Sequence, residues 1–177
     1  MNTVNTGKLR VTRIVLPPLN FYATLNLVNK QLPEDFKEFL TFLNEERVKY
    51  LLIGGYAVGY YGHPRATGDI DVWIAMTEEN AAAVVKTLNR FGFTHGEADK
   101  DLFLQPGNII RMGFPPMRIE ILNQIDGVDF DECYPKRTTG VIEGIHIPII
   151  SIEDLLKNKT ASGRTKDLAD VEALTEK

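Results

Sequence analysis

The spacing of apolar residues along the chain switches between a period near 3.6 and a period of 2, and each switch predicts an element. Phe36, Phe39, Leu40 and Leu43 fall at i, i+3, i+4 and i+7 after Pro33, which predicts an amphipathic helix over 33–46. VKYLLIGG, residues 48–55, reads as a buried strand that ends in a glycine turn. Tyr56 to Tyr61 is compatible with a short helix, closed by His63-Pro64. In DIDVWIA, from Asp69, the residues Ile70, Val72 and Ile74 alternate with Asp69, Asp71 and Trp73, the pattern of a strand with one apolar face. Thr77 is placed to cap the next helix, with Glu78 and Glu79 in its first turn and Ala81, Val84, Val85 and Leu88 along its stripe, before Gly92 stops it.

Beyond Gly92, the segments LFLQ, NIIRMG and RIEILN are three short strand candidates separated by proline and glycine. VIEGIHIPI predicts a hairpin turned at Glu143-Gly144. Ser151 with Asp154 three residues on is a capping-box pattern opening a helix through IEDLLKNK, and Gly163 separates it from a last helix over about 166–175. The alternation of elements predicts an α+β or α/β class with a mixed sheet flanked by helices. At 177 residues and 44% hydrophobic content, the chain is long enough for one domain with a core of its own.

Charge and cysteine content narrow the partners. A formal net charge of −4 excludes a generally basic nucleic-acid coat and leaves room for a local basic patch. The single cysteine, Cys133, permits no internal disulfide and fits a reducing, cytoplasmic compartment, where it reads as a structural residue. The N-terminal run IVLPPL is short and broken by prolines, a poor signal peptide, and no segment approaches the roughly 20 apolar residues of a membrane span. A membrane partner is not expected.

The candidate chemistry sits in GGYAVGYYGHPRATGDIDVWI, Gly54 to Ile74. Two aspartates at i and i+2 of a strand, Asp69 and Asp71, project from one face and repel each other unless a cation is shared between them. Mg²⁺, or Mn²⁺ in its place, takes oxygen ligands and bridges carboxylates to substrate phosphates. Gly54 and Gly55, ahead of a short helix, free backbone N–H groups to approach phosphate oxygens. A two-metal arrangement calls for a third carboxylate on a neighbouring strand, and Glu120, flanked by Ile119 and Ile121, is the candidate.

LLIGG, GDIDVWI and RIEIL together resemble the signature of the DNA polymerase β-type nucleotidyltransferase superfamily: an apolar strand, a glycine turn, two alternate aspartates and a later acid. More narrowly, GGYAVGYYGHPRATGDIDVWI, RIEILNQIDGV and SIEDLLKNKTASGRTKDLADVEAL are similar to small bacterial nucleotidyltransferases related to the AbiEii-type toxins and to the minimal nucleotidyltransferases of toxin–antitoxin pairs. The resemblance implies a nucleotidyltransferase domain over 31–177 behind an N-terminal extension of residues 1–30. It also implies a nucleoside triphosphate as donor and a tRNA or a partner protein as acceptor, with Asp69, Asp71 and Glu120 as catalytic and metal-binding residues. Position 55 is a glycine where many relatives carry serine, so phosphate contacts there fall to the backbone.

Lys157, Lys159, Arg164 and Lys166 lie within ten residues, followed by Asp167 and Asp170. Such a cluster suits triphosphate or an RNA backbone, with Lys159 and Arg164 the chosen contacts because the resemblance sets this segment beside the site. Pairing with the two aspartates is the competing reading. Arg65 and Thr67, just before Asp69, are also placed to touch phosphates. His63, His95 and His146 lack metal-ligand spacing and read as structural, while Trp73, Tyr60 and Tyr61 read as packing. The alternative from another class is a regulatory module that keeps this fold and binds nucleotide or a partner without turnover.

Overall fold

The computed structural model describes residues 4–6, 9–14, 32–93 and 98–176, with side chains from residue 32 onward. Along the chain come β1 (Val4–Thr6), β2 (Leu9–Ile14), α1 (Glu34–Glu45), β3 (Tyr50–Ile53), α2 (Gly54–Tyr60), β4 (Asp69–Ile74) and α3 (Glu78–Arg90). They are followed by α4 (Asp101–Leu104), β5 (Ile109–Phe114), β6 (Met117–Leu122), α5 (Phe130–Cys133), β7 (Thr138–Ile142), β8 (Ile145–Ile149), α6 (Ile152–Ser162) and α7 (Thr165–Thr175). The strands form one mixed sheet in the order β1-β2-β5-β6-β4-β3-β8-β7. Of the region read as an N-terminal extension, β1 and β2 carry the sheet outward from β5; the rest of it, and His95, lie outside the described residues.

Local chemistry accounts for the elements. Phe36, Phe39, Leu40 and Leu43 of α1 are fully buried against the sheet core with Ala81, Val84 and Leu88 of α3 and Ile70, Val72 and Ile74 of β4. Each Phe, Leu, Ile or Val among them contributes about 1.5–3 kcal/mol on burial. The Thr77 hydroxyl accepts the Asn80 N–H and caps α3. Asn80 is itself buried, accepting the Lys49 N–H at 2.7 Å and donating to the Lys49 and Ala75 carbonyls, which fixes the end of β4 beside the start of β3. Glu143 at φ 51° and Gly144 at φ 82° make the two-residue turn between β7 and β8.

One expected strand is a helix. LFLQ was expected to be extended, yet residues 101–104 form the single turn α4, after Asp99 accepts the Asp101 N–H at 3.2 Å. Only Phe103 of that run is fully buried, so the apolar stretch supplies one anchor rather than a sheet face. Trp73 shares the face of the two aspartates but packs edge-on against Phe130, ring centroids 5.1 Å apart. Tyr61 likewise serves the fold, donating its hydroxyl to the Ile150 carbonyl at 2.7 Å. Cys133 is buried, and that burial, with Asp154 nearby, pushes its thiol up to about 11. No helix among the described residues is long and apolar enough to cross a membrane.

Candidate active site

The strand register brings the three acids together. β4 and β6 run parallel, with Asp69 opposite Arg118 and Asp71 opposite Glu120. Neighbouring strands lie about 4.8 Å apart, so Asp71 and Glu120 stand side by side, with Asp69 two residues away on the same face. The alternate residues Ile70, Val72, Ile119 and Ile121 are fully buried in the core.

Two arginines share the charge of this cluster. Arg118 grips Asp69 with both ends of its guanidinium, at 2.9 Å and 2.6 Å. Arg111, opposite Glu120 on β5, donates to Glu120 Oε1 at 2.8 Å, and Arg118 lies 3.6 Å from the same oxygen. Asp71 has no hydrogen bond or ion pair among the described residues. Burial first, then the charges of Glu120 and Asp69, push its carboxyl up to about 7, against the pull of Lys166 and Lys159. It is the acid with most to gain from a cation.

The glycines work by close approach. Gly54 has φ +65°, and a Cβ there would lie 2.8 Å from Cγ and 3.1 Å from Cβ of Asp71, closer still to its Oδ2. A Cβ on Gly55 would come within 2.9 Å of the Thr67 hydroxyl. The turn from β3 into α2 therefore rests directly on Asp71, and Thr67 brings a hydroxyl to the place that a side chain at 55 would fill. That hydroxyl donates to the Asp69 carbonyl at 3.2 Å.

The C-terminal basic cluster is largely an ion-pair network. Lys159 is buried on α6, with Nζ 2.8 Å from Asp167 and 2.6 Å from Asp170 of α7. Arg65 grips Asp170 at 2.6 Å and 2.9 Å, and Arg164 reaches Asp167 at 2.5 Å. Burial alone would raise Asp167, but hydrogen bonds from Lys159, Arg164 and Ser162 outweigh it and hold the carboxyl at about 2. Lys157 turns instead to Asp154, while exposed Lys166 has no ion-pair partner among the described residues.

A cavity of about 620 Å³ gathers Gly54, Gly55, Arg65, Thr67, Lys159 and Arg164 over the three acids. It also takes in Arg111 and Arg118, which the sequence reading did not single out. Their signal was a basic residue inside an apolar strand, in IIRMG and in RIEIL itself. The acids are all-oxygen donors, and one is unpaired, which fits a hard divalent cation. Among the described residues, no three acidic, histidine or cysteine side chains converge closely enough to hold one as they stand. Asp69 and Glu120 have their arginines in that place, so a shared cation competes with the Arg118 guanidinium for Asp69.

Residues 30–175 match the model of a family described as nucleotidyltransferase of unknown function (DUF6036). The fold is similar to that of the lincosamide antibiotic adenylyltransferase LnuA bound to lincomycin, at 16% identity and TM-score 0.54 over 82% of this chain and 97% of that one. It is similar to TM1012 of Thermotoga maritima, described as a candidate nucleotidyltransferase, at 15% and 0.52 over 78% and 88%. The antibiotic-resistance factor ANT(2'')-Ia is a third, at 14% and 0.50 over 79% and 80%. At such identities these are likenesses of fold. No curated protein matches the sequence.

Proposed function

The chain belongs to this family of nucleotidyltransferases, and from that premise we propose that it transfers a nucleoside monophosphate from a nucleoside triphosphate to an acceptor hydroxyl with Mg²⁺ or Mn²⁺. The observation that carries the proposal is the register that sets Asp69, Asp71 and Glu120 on one face of β4 and β6, inside one cavity with the Gly54-Gly55 turn. The acceptor oxygen attacks the α-phosphorus, the bond from that phosphorus to the bridging oxygen of the β-phosphate breaks, and pyrophosphate leaves. The hydroxyl proton passes to the carboxylate side, where Glu120 is assigned to receive or orient it. A bound divalent cation would neutralise the acids and draw charge from the phosphates.

The rest falls to the protein's own groups. The backbone of Gly54 and Gly55 receives phosphate oxygens, and the Thr67 hydroxyl adds a donor. Lys166 and Arg164 offer positive charge to the departing pyrophosphate. Arg65 and Lys159 act through Asp170 and Asp167, holding α7 and the loop before β4 in place. In-line attack needs positioning and charge neutralisation rather than a covalent nucleophile, which suits this inventory.

The resemblance of the 54–74, 118–128 and 151–174 segments to AbiEii-type and minimal nucleotidyltransferases supports a tRNA or partner-protein acceptor within a toxin–antitoxin pair. The test is cation-dependent pyrophosphate release from each nucleoside triphosphate in the presence of host RNA and protein. Release that is lost on chelation and in Asp71→Asn is expected; equal release by Asp71→Asn overturns the proposal.

A further inference from the structure

We infer that Arg111 and Arg118 form the acceptor side of the cavity and recognise a phosphate-bearing nucleotide unit, either the end of an RNA strand or a mononucleotide. The inference rests on the nucleotidyltransferase reading and names the substrate class for the same site. Sheet order carries the geometry. The acids on β4 and β6 are flanked on one side by β3 and the Gly54-Gly55 turn, and on the other by β5 with Arg111. A triphosphate at the glycine turn leaves the β5–β6 flank to the acceptor.

That flank has a particular chemistry. Both guanidiniums converge on Glu120 Oε1, and each side chain keeps about a third of its surface exposed, 30% for Arg111 and 31% for Arg118. Beside them Ile109 and Leu122, partners in the β5–β6 register, are half-buried and line the cavity. Arginines next to an apolar pair match a phosphate next to a nucleobase face. A cation held by the acids would take over the charge that now holds Arg118 to Asp69, and the freed guanidinium would present a planar fork suited to two phosphate oxygens. A neutral or cationic acceptor would leave the freed Arg118 guanidinium without an anionic partner and Arg111 with Glu120 alone. The cavity, about 620 Å³, lies within the range of about 300–1,000 Å³ for small-ligand sites, so a longer acceptor enters by its end.

Binding without turnover tests this. The full chain is loaded with Ca²⁺ and an α,β-methylene nucleoside triphosphate, then titrated with a single-stranded RNA hexamer bearing a free 3′-hydroxyl, with AMP, and with an uncharged morpholino hexamer. The RNA or AMP is expected to bind at least tenfold tighter than the morpholino. Arg111→Gln and Arg118→Gln should each weaken binding about tenfold and flatten the log–log salt slope for RNA by about 0.7. Arg→Lys variants should lose affinity but keep the slope, which separates charge recognition from a folding defect. Preference for RNA or for AMP identifies the source of the phosphate. In a separate arm, Arg118→Gln should tighten Mn²⁺ binding to the nucleotide-free protein, because a competitor for Asp69 is gone. Equal binding of the morpholino, or unchanged affinity and slope in the glutamine variants, overturns the inference and leaves the nucleotidyltransferase reading intact. Failure of the triphosphate analogue itself to bind overturns both.

Discussion

Gly54 and Gly163 share a φ of +65° but not their surroundings, and that pair isolates what the glycine turn contributes. An added Cβ at Gly163 meets nothing within 4 Å, whereas at Gly54 it runs into the Asp71 carboxylate. Alanine in the left-handed region costs about 1–2 kcal/mol, offset in part by about 0.4–1 kcal/mol from the loss of glycine's freedom in the unfolded chain. Gly163→Ala should therefore lose about 1 kcal/mol, a drop in Tm of about 2–4 °C for a domain of this size, and Gly54→Ala at least as much, since its Cβ must also push the Asp71 carboxylate aside. Gly54→Ala should also displace Asp71. Losing the orientation of one ligand group typically costs about 10–100-fold in metal affinity, so its Mn²⁺ affinity should fall by that much and nucleotidyl transfer with it. Thermal unfolding and Mn²⁺ titration of the two variants side by side make the measurement. Mn²⁺ affinity retained in Gly54→Ala, or lost equally in Gly163→Ala, would refute the claim that the turn is glycine because Asp71 rests on it.

Lys159→Met should destabilise the protein by at most about 3–5 kcal/mol, because Asp167 and Asp170 lose their shared buried cation and keep only Arg164 and Arg65; a loss below about 1 kcal/mol in urea unfolding would contradict the network. Asp154 and Asp167 both titrate in the fold at about 2, below the ordinary 3.8. Their contribution is present above pH 3.8 and lost as pH falls to about 2, so Asp154→Asn should flatten the acid limb of the stability–pH curve; an unchanged limb would count against it. Thr77→Ala removes the hydroxyl that caps α3 and should cost about 1 kcal/mol, read from the chemical-denaturation midpoint, with transfer activity unchanged.

The helices and the strands around the aspartates were legible because their chemistry is local. Ile70, Val72 and Ile74 alternate with Asp69 and Asp71, and Thr77, Gly92, Ser151 and Gly163 mark helix ends by side-chain or backbone preferences that need no tertiary context. LFLQ was not legible, since three consecutive apolar residues fit a buried strand as well as one turn of helix. Asn108 settles that segment from outside it by donating to the Leu102 carbonyl.

The arginine pairing was hidden for a different reason. Arg111 meets Glu120, and Arg118 meets Asp69, only once β5, β6 and β4 lie side by side in register, which is a property of the sheet; the approach of Arg118 to Glu120 alone lies within one strand. Lys159 shows the converse: phosphate contact and pairing with the two aspartates both fit the sequence, and the packing of α6 on α7 decides for the pairing with Asp167 and Asp170.

Nucleotidyl transfer itself is read by following the α-phosphate. Purified protein is incubated with Mg²⁺, each α-³²P-labelled nucleoside triphosphate in turn, and a host lysate, beside the Asp69→Asn/Asp71→Asn double variant. A labelled macromolecule or nucleotide is expected that is absent with the variant and absent on chelation, its sensitivity to RNase or protease naming the acceptor. No label from any of the four nucleotides, with nucleotide binding intact, would contradict nucleotidyl transfer and leave a regulatory nucleotide-binding module on this fold.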